Sequence, residues 1–301
     1  MSTGVLVMAY GTPASRDGVE AYYTRIRHGR PPTEEQLADL TRRYDAIGGI
    51  SPLTRRTLDQ VSALAAALEH SHPGEFDVRF GSKYESPMIE ETAASFVDDD
   101  VARVIGLALA PHSSTMSTDQ YMARAREALG AGVDFSPIGE WWDAPGFLEL
   151  VAARVTEALS RVPEERRAAA VVLFSAHSLP EGILSAGDTY PAQLHESASR
   201  AAHLAGVVNV DVAWQSAGRT SDTWLGPDIL DELRAMAASG VTDVVSCPIG
   251  FVSDHLEVLY DIDIDAQRVA SEAGITLVRT ASLNDDPAFI EVLANVVRRE
   301  A

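Results

Sequence analysis

Val5-Leu-Val-Met-Ala-Tyr10-Gly-Thr-Pro13 and Val172-Leu-Phe-Ser-Ala-His177-Ser-Leu-Pro180 share one pattern: an apolar run, a small residue, one chemically active side chain, two residues and a proline. An apolar run of strand length without polar alternation reads as a strand buried on both faces, the condition of a parallel sheet covered by helices. Runs of this kind fall at 5–10, 76–81, 104–110, 133–137, 171–175, 210–214, 244–248 and 275–278. Helical spacing fills the intervals near 33–46, 54–69, 88–98, 117–129, 146–160, 192–205, 228–238, 255–272 and 286–299. That alternation predicts the doubly wound α/β class, with helices on both faces of each parallel sheet. Leu107-Ala-Leu-Ala-Pro-His112-Ser-Ser and Val244-Val-Ser-Cys-Pro-Ile-Gly-Phe-Val-Ser253-Asp continue the internal match. Two similar lobes, at 1–145 and 146–301, account for it, with the last helix packing back on the first lobe. Ligands of open α/β sheets bind beyond the carboxyl ends of the strands. Tyr10 and His177 are therefore expected to face one cleft between the lobes.

Composition sets the outer limits. At 301 residues, 46% hydrophobic and 23% charged, the chain has ample apolar material for two lobes. No run approaches the roughly 18 apolar residues of a membrane span. The opening Met1-Ser-Thr-Gly-Val-Leu-Val-Met lacks the basic start of a secretory leader. The expectation is a cytoplasmic protein with no membrane anchor. Cys247 is the single cysteine, which excludes an internal disulfide and any cluster held by several thiolates. A net charge of −20 argues against nucleic acid or an anionic membrane surface as partner. Residues 1–56 nevertheless hold eight arginines against six acids, a local +2 that leaves −22 on the remainder. Lys83 is the only lysine, so basic function falls to arginine, whose fork grips carboxylates with two hydrogen bonds. An arginine-rich island on an acidic body suits a small anion at the island and cations elsewhere.

Four segments carry chemistry. The first combines Tyr10-Gly-Thr-Pro with Tyr22-Tyr-Thr-Arg-Ile-Arg27-His-Gly-Arg30 and Arg43-Tyr44-Asp-Ala-Ile-Gly48-Gly49-Ile-Ser51-Pro52. Arginine forks, hydroxyls and glycine turns together make a pocket for a flat molecule bearing carboxylates. Arg42 is expected on a solvated helix face instead. The second is Ser175-Ala-His177-Ser-Leu-Pro180, whose imidazole at a strand end can ligate metal or accept a proton. The third is Gly250-Phe-Val-Ser-Asp254-His-Leu-Glu257-Val-Leu-Tyr260-Asp261-Ile-Asp263-Ile-Asp265. On a helix, Glu257, Asp261 and Asp265 form one acidic ridge at i, i+4 and i+8, read either as a cation path or as a solvated face. One histidine with carboxylates resembles a transient divalent site. His255 points elsewhere on that helix and reads as structural. The fourth is Trp214-Gln-Ser-Ala-Gly218-Arg-Thr220 with Trp224-Leu-Gly-Pro-Asp228: Trp214 either caps a flat aromatic ligand or belongs to the core, and Asp228 caps a helix. No Gly-x-Ser-x-Gly elbow, Gly-x-Gly-x-x-Gly turn or Walker loop is present, which disfavours a serine nucleophile or a nucleotide cofactor.

Seven motifs, in order from the opening strand almost to the C-terminus, make the chain resemble the ferrochelatases. They are Met8-Ala-Tyr-Gly-Thr-Pro13, Tyr44-Asp-Ala-Ile-Gly-Gly-Ile-Ser-Pro52, Ala110-Pro-His-Ser-Ser114, Ser175-Ala-His-Ser-Leu-Pro180, Trp214-Gln-Ser-Ala-Gly218, Trp224-Leu-Gly-Pro-Asp228 and Gly250-Phe-Val-Ser-Asp-His-Leu-Glu-Val-Leu-Tyr-Asp261. The nearest branch in motif is that of the soluble coproporphyrin III ferrochelatases of Gram-positive bacteria. The resemblance implies two doubly wound lobes with a porphyrin in the cleft between them. It implies Tyr10 as axial ligand to product iron, and Arg27, Arg43, Tyr44, Ser51 and Tyr121 as contacts to the macrocycle and its propionates, with Trp214 beside them. It implies His177 and Glu257 as the pair that binds Fe(II) on the opposite face. Asp261 and Asp265 match an outer acidic site, where the family often carries the longer Glu. Some actinobacterial relatives hold a [2Fe-2S] cluster on several cysteines, which Cys247 alone cannot do. No resident cofactor is expected, Fe2+ being a substrate.

Metal insertion requires a bent tetrapyrrole, loss of two N–H protons, and a partly desolvated metal at one face. A rigid cleft gripping the propionates can hold that distortion with remote binding energy. Coproporphyrin III has four propionates and protoporphyrin IX two, so the arginine-rich first lobe favours the former. Another divalent metal, protoporphyrin, or a non-catalytic porphyrin carrier are the alternatives. A monomer is expected, with a coprohaem decarboxylase as the partner that the resemblance suggests.

Overall fold

The computed structural model describes residues 2–218 and 220–301. Arg219, quoted above within the fourth segment, lies outside the described residues. The first half runs β1 Thr3–Ala9, α1 Val19–Ile26, α2 Glu34–Ala46, α3 Leu53–Ser71, β2 Phe76–Ser82, α4 Ile89–Asp98, β3 Arg103–Ala108, α5 Thr118–Leu129 and β4 Asp134–Ile138. The second runs α6 Phe147–Ser160, α7 Glu164–Arg167, β5 Val171–His177, α8 Gly182–Ser185, α9 Tyr190–Leu204, β6 Val210–Gln215 and α10 Ile229–Ala238. It continues with β7 Asp243–Cys247, α11 Leu256–Leu259, a π-helical segment Asp261–Ala266, α12 Gln267–Ala273, β8 Thr276–Arg279 and α13 Pro287–Glu300.

The strands form two four-stranded sheets ordered β2-β1-β3-β4 and β6-β5-β7-β8, with every pairing parallel. The orders are the same once each half is counted from its own first strand. In each sheet the chain leaves one strand to one side and returns on the other, so the order reverses beside β1 and beside β5. A crevice opens beyond the carboxyl ends at such a reversal. Tyr10 follows β1 directly and His177 ends β5. The matched sequence pattern thus places one reactive side chain at the switch point of each sheet.

Local chemistry fixes the elements. Thr33 and Gln36 cap α2 reciprocally, Gln36 N–H donating to the Thr33 hydroxyl at 3.2 Å and Thr33 N–H to the Gln36 side chain at 3.0 Å. Asp228 and Asp286 accept from the first turns of α10 and α13, and Pro287 opens the latter. Gly48 and Gly49 carry φ of +105° and +112°, a turn that L side chains resist, and it delivers Ser51 to the start of α3.

The largest core takes residues from both halves: Val5, Val7, Ile105 and Leu107 of the first sheet, Val172, Phe174 and Val245 of the second, and Leu293 of α13. Helix α13 packs on α3 and on α6. Smaller cores seal the outer face of each sheet, around Leu6, Met8 and Phe96 and around Leu173, Leu233 and Ile262. No helix among the described residues is long and apolar enough to cross a membrane.

Candidate active site

His177 and Glu257 come together at the carboxyl end of β5, Nε2 to Oε1 at 3.5 Å, each side chain about one-third exposed (34% and 32%). The His177 Nδ1–H donates to the Ser178 carbonyl, which turns Nε2 toward Glu257. Glu257 is fixed through its backbone: its carbonyl accepts from Gln215 Nε2 at 2.9 Å, and the Gln215 side-chain oxygen accepts from the Ser175 hydroxyl at 2.9 Å. Gln215 is fully buried, so a satisfied pair of hydrogen bonds ties the ends of β5 and β6 to α11. Burial alone lowers the His177 imidazole, but the adjacent Glu257 carboxylate outweighs it and raises the group to about 9. Burial likewise opposes charge on Glu257, and the His177 cation overcomes it, holding the carboxyl well below its ordinary range.

A group of tyrosines from the first half lies within electrostatic reach of Glu257. Tyr10 is 41% exposed, yet burial is the largest cause raising its phenol well above the ordinary value, followed by charges that include Glu257. A side chain that water reaches while protein surrounds it lines a crevice. Its ring meets Tyr84 edge-on at 4.9 Å. Burial raises Tyr44 to about 12, against the pull of its contact with the Thr12 hydroxyl at 3.2 Å, and raises Tyr121 as well; both also feel the charge of Glu257. Beside this group Lys83, 5% exposed, points its ammonium at the rings of Tyr84 (5.1 Å) and Tyr121 (5.4 Å) and donates to Gln120 at 2.6 Å. Burial and the neighbouring Arg124 lower it to about 8.

Asp261 opens the π-helical segment, in which Asp265 N–H reaches back five residues to the Tyr260 carbonyl at 2.9 Å. The expected continuous helix over 255–272 is therefore three pieces, and Glu257, Asp261 and Asp265 descend along a wider spiral than an α-helix provides. Burial, then repulsion from Glu257, raises Asp261 to about 6. One Asp261 oxygen accepts from the hydroxyl of Ser216, a residue with a left-handed φ of +62°. The other faces Arg43 Nη1 at 3.6 Å. Asp265 pairs with Arg268 at 3.6 Å on the exposed side, and Asp263 points away to the fork of Arg279 at 2.7 and 2.9 Å.

Arg42 lies on the solvated face expected of it, its side chain 59% exposed and its Nη2 on Asp39 at 2.7 Å, and its Nη1 also donates to the Tyr260 hydroxyl at 2.5 Å, across the two halves. One reading is corrected. His255 precedes α11 in extended conformation, φ −157°, so a helical wheel misplaces it; its Nε2 is 3.7 Å from Glu257 Oε2. Trp214 is 3% exposed with its ring 5.5 Å from Tyr190, which puts it in the core behind the crevice. Ser51, 5% exposed, accepts from the N–H of Leu53, the first residue of α3, at 3.2 Å. Arg27 lies over the Tyr23 ring and donates to the Arg30 carbonyl, so its polar partner is its own turn. Lys83, Tyr84, Tyr260 and Ser216 escaped the sequence reading; only the solitary lysine carried a signal.

The family model for Ferrochelatase matches residues 2–301. The coproporphyrin III ferrochelatase of Geobacillus kaustophilus is 46% identical over 98% of this chain and 95% of its own. The ferrochelatase of Herpetosiphon aurantiacus is 45% identical over 98% of each. Among solved structures, the sirohydrochlorin chelatase SirB of Bacillus subtilis subspecies spizizenii, in complex with cobalt, aligns with a TM-score of 0.59 at 13% identity, covering 100% of this chain and 96% of that one. That likeness concerns the two-sheet fold; the sequence matches span the whole length, and the chain belongs to the ferrochelatase family.

Proposed function

We propose that this chelatase inserts Fe(II) into coproporphyrin III, with His177 and Glu257 at the metal face of the cleft and Tyr10 on the wall opposite. The approach of His177 Nε2 to Glu257 at 3.5 Å, with an exposed tyrosine that feels the charge of Glu257, carries the reading. Nδ1 is committed to the Ser178 carbonyl, so Nε2 is the ring atom that reacts. At rest the pair holds a proton as an ion pair. An arriving dication displaces that proton from Nε2 to solvent water and is attracted by Glu257, which gives a two-donor hold weak enough to release the metal. As the metal enters the ring, two pyrrole N–H bonds break and their protons pass to the vacated Nε2 and the Glu257 carboxylate. Charge balances: one dication enters the macrocycle and two protons leave.

The propionates fall to the first half, with Arg27, Arg43, Tyr44, Ser51 and Tyr121 as contacts. Four carboxylates use an arginine-rich wall more fully than two, and relatives 43–46% identical carry the coproporphyrin name. The protein acts as a monomer with no resident cofactor and hands its product to a decarboxylase of coprohaem. Anaerobic addition of Fe(II) to protein with coproporphyrin III, and separately with protoporphyrin IX, should collapse the free-base absorbance bands faster for coproporphyrin. His177→Ala should slow insertion by about 100-fold or more while porphyrin affinity survives. Equal loss of both would make His177 structural, and binding without insertion by the native chain would identify a carrier.

A further inference from the structure

We propose that Arg43 is shared: it pairs with Asp261 in the empty cleft and with a ligand carboxylate in the filled one, so that seating the porphyrin releases Asp261. The proposal rests on the reading of Arg43 as a carboxylate contact and adds a coupling between the two substrates. Arg43 lies on α2 of the first half, and Asp261 opens the π-helical segment of the second. The guanidinium spends Nε on Asp39 at 3.1 Å and turns Nη1 to Asp261 at 3.6 Å, while its Cζ lies 5.2 Å from the centroid of the Tyr260 ring. Its side chain is 28% exposed, open to a second anion, whereas that of Asp261 is 14% exposed.

The geometry favours exchange. At 3.6 Å the pair with Asp261 is looser than the 2.7–2.9 Å of a charge-assisted hydrogen bond, so a mobile carboxylate that reaches the fork in good geometry outcompetes it. Asp261 cannot follow Arg43, because Ser216 holds its other oxygen. Once Arg43 turns away, Asp261 faces the cleft with Glu257 as its acidic neighbour and no other ion pair among the described residues on that oxygen. A path for dications is then more negative after the porphyrin is seated than before. By linkage, a cation that binds Asp261 tightens the porphyrin by the same factor as the porphyrin tightens that cation.

Free-base coproporphyrin III, titrated by fluorescence into the full chain in the presence of chelator, tests this without metal. Four proteins form a cycle: native, Asp261→Asn, Arg43→Gln and the double variant. Asp261→Asn should tighten porphyrin about fivefold or more when Arg43 is present and change affinity little when it is absent. The same tightening in both backgrounds would mean general charge repulsion and overturn the proposal, as would no tightening in either. Arg43→Gln alone should weaken binding. Unchanged affinity in that variant would instead overturn the reading of Arg43 as a carboxylate contact. Thermal melts confirm folding, and Arg43→Lys substitutes if the glutamine variant does not fold.

Discussion

His112 lies 3% exposed between the halves, its Nε2 2.8 Å from the Ser197 hydroxyl and its Nδ1 without a partner, and burial lowers it to about 3. Between pH 6.5 and 3 the unfolded chain binds this proton and the native one does not, so stability falls on acidification through that window and is unaffected above it. His112→Gln should flatten the dependence of unfolding free energy on pH there by up to about 1.4 kcal/mol per pH unit, read from denaturant titrations at several pH values. An unchanged slope would mean the native imidazole protonates in place. At this scale the sequence was legible where a residue's role follows from its type and its strand end, as for Tyr10 and His177. It was opaque where the partner is remote: Asp39, three residues back from Arg42 in its own helix, is visible, but Tyr260, 218 positions away, is not.

Elements were legible in proportion to their burial. All eight strands are found close to their apolar runs, because parallel strands covered on both faces tolerate few polar residues. Helix α1 went unread, since only Val19 and Tyr22 of its eight residues are buried and no stripe marks it. The π-helical segment is hidden for another reason: its residue types suit an α-helix, and its packing partners α10 and β8 are not visible in its own pattern. The loop from β7 to α11 is positioned by contact. Gly250 N–H donates to the Ser175 carbonyl at 3.1 Å, and a Cβ on Gly250 would lie 2.5 Å from the Cβ of Ala176. Gly250→Ala should therefore lift this loop from the end of β5, cost about 1–3 kcal/mol, and weaken binding of a divalent metal more than binding of porphyrin. Equal metal and porphyrin affinities with native stability would show that the loop absorbs the methyl elsewhere.

For the whole molecule, two kinds of tie hold the halves around the cleft. On one side the loop after β3 meets the start of α9, with Asp188 accepting from Ser114, Thr115 N–H and the Thr115 hydroxyl at 3.0, 2.8 and 2.7 Å. On the other, Arg42 and Arg43 reach Tyr260 and Asp261. Beneath both runs the shared core, where Phe289 of α13, fully buried, packs its ring 5.8 Å from Trp141 of the first half. Phe289→Ala should cost about 3–5 kcal/mol and lower a single calorimetric transition; two separated transitions would mean that the halves unfold independently. The internal repeat in sequence announced two sheets, whereas the fusion of their cores depends on helix faces that meet only in three dimensions. The solitary Lys83, set beside Tyr84 and Tyr121, turns this rigidity into something a chemist can time. Every lysine-directed acylating reagent has one side-chain target in this molecule, and that amine is screened from it by Tyr84, Tyr121 and Gln120. The rate at which Lys83 is acylated is a clock for the breathing of the cleft wall, and a porphyrin that stills the wall will slow it.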